Sequence, residues 1–265
     1  MKFMETKLRN IFTLYDFLGY FLPGAALIIM ICVSHFMYDI LLLFKLNNET
    51  VESTNALLFL MKQIAQNWVV WLVIGIVTTY LIGHIIAGLS SMILEKWLVG
   101  NVLHYPTNNM LIPKRGKNRT FWNIIMGYRG SMGNETVRIF RNIFEKRYGK
   151  EGKNLLDHDI FNVFSICFAS MKENNSVTYE RVMNYVSSYG FSRNASMAFL
   201  IAAIIGVILM FTKVHWFVIC FYFVTMIIFS FFMFRQYLKF FRRVNDEVFF
   251  QFISDNWTLV NKEDK

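Results

Sequence analysis

Apolar positions fill four long stretches of this chain, and the polar positions are gathered between and around them. Residues 17–44, 68–94, 195–212 and 216–234 are nearly unbroken apolar runs. Each is close to or above the ~20 residues that a helix needs to cross a hydrocarbon layer. Between the second and third runs lie residues 95–193, polar and mostly basic, a segment too long to be a connecting loop. The pattern predicts an all-α integral membrane protein: four transmembrane helices with a helical cytosolic insert between spans 2 and 3.

Residues 1–16 mix Lys2, Lys7 and Arg9 with Leu8, Ile11, Phe12 and Tyr15 at helical spacing. That predicts a short helix in the membrane interface, its cations among the headgroups. Pro23 then either begins the membrane helix or bends it. Asp16 falls near the inner headgroups, where it caps a turn, pairs with a base of the insert, or acts as a ligand or gate group. His35 and Asp39 share a helix face near the outer end. They either bond to each other at the interface or mark a gate, since an ionisable residue inside a span is a functional candidate. Residues 45–67 make a short outer loop whose two lysines are balanced by two glutamates.

Trp68 and Trp71 open the second span as interface anchors. Gly75, Thr79, Gly83 and Ala87 recur every four residues, a small-residue stripe that lets another helix come close. Ala198, Ala202 and Gly206 repeat the pattern in the third span, so spans 2 and 3 are the expected tightest pair. Gly83 and His84 join His35 and Asp39 as pore or gate candidates, because His84 is the most deeply placed ionisable group of its span. Ser192 or Asn194 is positioned to cap the third span, with Arg193 at the inner interface. Residues 213–216 form a tight outer turn, and the Phe- and Ile-rich fourth span faces lipid or neighbouring subunits. In the tail, residues 235–265, Tyr237, Phe241, Val244, Val248 and Phe252 have the spacing of a helix that packs on the insert or on a copy of itself.

Within the insert, residues 100–133 read as coil and turns. Helices are predicted from Asn134 to about Tyr148, over 156–171 and over 177–189. These helices either bury one another or lie on the bilayer. The basic residues Lys114, Arg115, Lys117 and Arg119, with Arg138 and Arg141 on the first of the helices, are the candidate ligand-binding group. They face anionic lipid, or they hold a phosphorylated ligand or a short single-stranded nucleic acid. Phe121, Trp122 and Tyr128 would supply a stacking platform for bases.

Composition sharpens this picture. Hydrophobic residues make up 55% of the chain, with 28 Phe, 12 Tyr and 6 Trp, more aromatic surface than a soluble core of this length needs. The net charge of +9 is local: residues 95–193 hold 15 Lys and Arg against 8 Asp and Glu. The positive-inside rule therefore places the insert and both termini in the cytosol. The first apolar run is too long for a signal h-region, so it is expected to stay as a span. Cys32, Cys167 and Cys220 are too scattered for a disulfide framework or a metal site. The Asp157-His158-Asp159 cluster sits at a helix start, where acids stabilise exposed amides. With no zinc motif, nucleophile elbow or phosphate-binding loop, the expectation is no catalytic residue, no metal and no cofactor.

Four spans with few intramembrane charges suit a pore built from several copies, its gate closing by dewetting. They are too few for a transporter with inverted repeats. The alternative is a non-conducting anchor or scaffold that tethers a cytosolic partner through residues 95–193. Asp16, Gly19, Tyr20, Pro23 and Gly24, Ser192, Arg193 and Asn194, and the four-span layout resemble a family of small bacterial membrane proteins found with antiphage defence systems. The membrane effector of the Hailong system is of this kind. The resemblance implies a homo-oligomeric channel in the bacterial inner (cytoplasmic) membrane. It also implies control by a cytosolic nucleotidyltransferase and its short nucleic-acid product.

Overall fold

A computed structural model of the protein describes residues 16–45, 67–111, 132–174, 176–210 and 216–258. Among them nearly all are helical and none is in a strand. The predicted interfacial helix over 1–16 (but for Asp16), the outer loop, Lys114, Arg115, Lys117, Arg119, the neighbouring aromatics Phe121, Trp122 and Tyr128, and the turn before Trp216 lie outside the described residues. So do the side chains of His35 and Asp39.

Helix α1 covers Leu22–Lys45 and is preceded by a wide turn, Phe17–Phe21, in which the Leu22 N–H bonds back to the Phe17 carbonyl five residues earlier. The chain is thus helical on both sides of Pro23. Helix α2, Trp68–Ser90, continues in the same wide form through Ser91–Leu103. It ends at His104, where φ is 60°, and Asn109 Nδ2 donates to the Leu103 and His104 carbonyls at 3.1 and 3.2 Å. Those are the carbonyls that a helix end leaves without partners. Pro106 opens α3, Pro106–Leu111, where a missing N–H costs nothing.

Helix α4 runs from Asn134 to His158 with a break at Gly149, whose φ of 62° favours glycine. Asp159 caps α5, Ile160–Asn174, by accepting the Asn162 N–H at 3.2 Å. Leu156, expected in this helix, belongs to α4. Helix α6 is one element, Ser176–Met210, where two were predicted. Ser192 and Asn194 are therefore interior helix residues and cap nothing. Helix α7, Trp216–Asp255, joins the fourth apolar run to the tail. Among the described residues four helices are long and apolar enough to cross a membrane, over Phe17–Ser34, Trp68–Leu111, Val177–Ile208 and Trp216–Asp255.

The chain divides into two compact units, with α6 and α7 each contributing to both and α2 reaching the second only through its continuation to Leu103. One unit takes the residues up to Ser91 together with Phe191–Phe234. Its most central helix is α6, whose residues 192–198 are buried on every side. The apolar stretches of α2 and α7 are only 17% and 11% buried, against 56% for α6, so α2 and α7 turn most of their surface outward.

The other unit takes Met92–Gly190 and the residues from Arg235 on. Val137, Phe140, Ile143 and Phe144 of α4, Val163 and Cys167 of α5, Val182 of α6, and Val244, Val248, Phe249 and Phe252 of α7 form its core. Phe140 meets Phe249 and Phe252 at ring distances of 5.1 and 5.7 Å. Each such burial is worth roughly 1.5–3 kcal/mol. The amphipathic helices of the insert thus bury one another, and the tail helix packs on them.

Candidate functional site

The densest group of sequence-predicted residues lies in the apolar unit, and a proline creates the need for it. In an α-helix the Gly19 carbonyl would accept from the N–H of residue 23, but that residue is Pro23 and carries no hydrogen there. An unpaired carbonyl is costly among apolar side chains, and a neighbouring helix commonly supplies the replacement. Here Asn194 Nδ2 of α6 donates to the Gly19 oxygen at 2.6 Å. The other end of the amide is held as well. Ser90 of α2 hydrogen-bonds to Asn194 Oδ1, and Arg193 Nε reaches the same oxygen at 3.3 Å. Asn194 and Ser90 are wholly buried, and Arg193, expected at the interface, is buried too. Three helical segments thus share one side-chain amide.

Two glycines let the first two of these segments touch. A β-carbon on Gly83 would collide with the Tyr20 carbonyl and lie 2.6 Å from its carbon. One on Gly24 would collide with the Thr79 carbonyl and lie 3.0 Å from Gly83 N. With Gly83 seated under Tyr20, the next residue brings its ring to the tyrosine. His84 stacks on Tyr20 with centroids 4.1 Å apart and meets the edge of Tyr80 at 4.5 Å.

The small-residue stripes therefore find other partners than predicted. Gly83 faces the turn before α1, and a β-carbon on Gly206 of α6 would collide with the Tyr222 ring of α7. A β-carbon on Gly75 or Gly88 meets nothing within 4 Å. Spacing of four identifies a shared face, whereas closest approach also needs a partner with room, and Gly24 provides it. The remaining ties are polar. Ser196 and Ser230 exchange hydroxyl-to-carbonyl bonds of 2.9 Å in both directions, and the Tyr222 hydroxyl donates to the Met30 carbonyl at 3.3 Å.

In the polar unit, the two described members of the basic ligand group already meet carboxylates. Arg138 pairs with Glu135 and Arg141 with Asp157 at 3.3 Å. Asp159 is taken up in its cap, with Asn162 Nδ2 donating to its second oxygen at 2.5 Å. Arg147 donates to Asn256 and lies 5.6 Å from the Phe252 ring centre, tying α4 to α7. Burial holds the Cys167 thiol far above its ordinary pKa, with the Arg147 charge opposing it more weakly. That sulfur stays protonated and unreactive. Among the described residues no group of three His, Cys, Asp or Glu could hold a metal ion.

Of the sequence-predicted residues, Gly19, Tyr20, Gly24, Gly83, His84, Arg193 and Asn194 come together. Ser90, which sequence reasoning missed, completes the group. Fold and site define a class: among the described residues, a helical protein with four helices long and apolar enough to span a membrane and a second compact, polar unit. Comparison with known protein families, with characterised proteins and with solved structures found no match.

Proposed function

We propose that the protein is an oligomeric, gated pore-forming effector of the bacterial cytoplasmic membrane. The polar unit and both termini lie on the cytosolic side. A nucleotide, a short single-stranded nucleic acid or a nucleotidyltransferase partner acts on that unit to open the pore during antiphage defence. The observation that carries this reading is the outward apolar surface of α2, where every described residue from 67 to 78 is exposed. Exposed apolar area of that extent requires lipid or further copies of the chain to cover it. Outward Trp216, Phe217, Phe221 and Phe232 make the same demand on α7. The resemblance of the Asp16–Gly24 and Ser192–Asn194 motifs to antiphage membrane proteins supports the biological setting.

The test is flux. The full chain is reconstituted into liposomes containing anionic lipid and loaded with potassium. Efflux is then followed on adding short single-stranded DNA, nucleotides, or a bacterial nucleotidyltransferase. Efflux with one of these and with none of the controls is the expected result. No efflux with any of them overturns the pore and leaves the non-conducting scaffold.

A further inference from the structure

We propose that Pro23 and Asn194 together form a register lock on the turn leading into α1. The proline withholds the donor that Gly19 would have had, and α6 supplies it from 175 positions away. The amide cannot reverse without facing its oxygen to another oxygen, and Ser90 and Arg193 fix the opposite end. The turn itself is wide, with the Leu22 N–H reaching Phe17. A wide turn carries one residue more than an α-helical one, and such turns are frequent where helices work.

If the lock opens and the turn tightens by that residue, everything ahead of it rotates by about 100° and shifts by about 1.5 Å relative to α1. Tyr20 lies inside the turn, with its carbonyl over Gly83 and its ring on His84. The locked turn therefore keeps Tyr20 over the imidazole, and the released turn uncovers it. The lock is a property of the apolar unit and holds whether or not the protein conducts ions.

A double-substitution cycle on the full chain in detergent micelles tests this. Asn194→Ala removes the surrogate donor, and Pro23→Ala gives Gly19 a donor of its own. Hydrogen exchange followed by mass spectrometry reads the amides of residues 17–22. Asn194→Ala alone is expected to raise their exchange at least tenfold, with residues 240–253 unchanged. In the Pro23→Ala background the same substitution should change exchange less than twofold. His84 should react faster with diethyl pyrocarbonate in the Asn194→Ala protein than in the wild type.

Equal acceleration in both backgrounds would make Asn194 a packing residue and overturn the proposal, as would an unchanged His84 rate. Should Asn194→Ala fail to fold, the double substitution still decides. A folded double variant supports the lock, and an unfolded one sinks it.

Discussion

The two units of this chain are held together in opposite ways. The polar unit has a core of large side chains, with Phe140, Phe144, Phe249 and Phe252 fully or almost fully buried. The apolar unit owes its closest contacts to the absence of side chains at Gly24, Gly83 and Gly206, and to a few buried amides and hydroxyls. Burying a phenyl ring is a gain only when the alternative is water. Where the alternative is lipid, apolar side chains have nothing to escape, and helices associate through close backbone approach and hydrogen bonds. Phenylalanine is abundant in both units, but in α7 Phe217, Phe221 and Phe232 point outward, whereas Phe249 and Phe252 on the same helix point in. One residue type thus lies on the outside along one part of a single helix and in the core along another.

The sharpest way to break this comparison is Phe140→Ala. The ring is wholly buried among Phe144, Phe249 and Phe252, so the loss should be about 3–5 kcal/mol. It should appear in denaturant unfolding followed by exchange at residues 240–253, with residues 197–203 of the apolar unit losing far less protection. Equal loss in both units would show that they unfold together.

Gly83→Leu tests the other side. Any β-carbon there strikes the Tyr20 carbonyl, and overpacking of this kind costs about 1–3 kcal/mol. The expected result is a lower melting temperature in detergent together with loss of the Tyr20 contact, read as faster modification of His84. Gly75→Leu on the same helix should be silent, because nothing lies within 4 Å of that position. An unaltered Gly83→Leu protein would remove the glycine seat from the account.

Much of this was legible in the sequence, for particular reasons. The four apolar helices follow from run length, which survives any tertiary arrangement. The tail helix followed from its Tyr237-to-Phe252 spacing, though not its choice of partner. Gly83 was legible as a small residue on a stripe, whereas its partner depended on Gly24, far away in the chain. Asn194 was misjudged because Ser, Asn and Asp near a helix start usually cap it. Nothing local showed that α6 runs on through Gly190. A signal was nonetheless present: Pro23 leaves Gly19 without its α-helical donor, so some polar side chain from another helix had to be found. Ser90, one serine among several, carried no such mark.

The smallest expected effect sharpens the comparison on the surface of the polar unit. Arg138 and Glu135 are exposed, with side-chain accessibilities of 75% and 67%, and an ion pair so well solvated contributes less than about 1 kcal/mol. Arg138→Gln should therefore leave unfolding of the polar unit almost unchanged, in contrast to Phe140→Ala two residues on. Its value lies in what it isolates. If Arg138 serves only its helix, nucleotide- or DNA-triggered efflux from liposomes will match the wild type. If the cation contacts a phosphate, efflux will need more ligand, and the required concentration will rise less steeply with added salt than it does for the wild type, because one fewer phosphate is neutralised and each one adds to the salt dependence of binding. A variant with unchanged stability and a weakened response that depends less on salt than the wild type's would assign Arg138 to recognition, and unchanged efflux would leave it as a partner of Glu135.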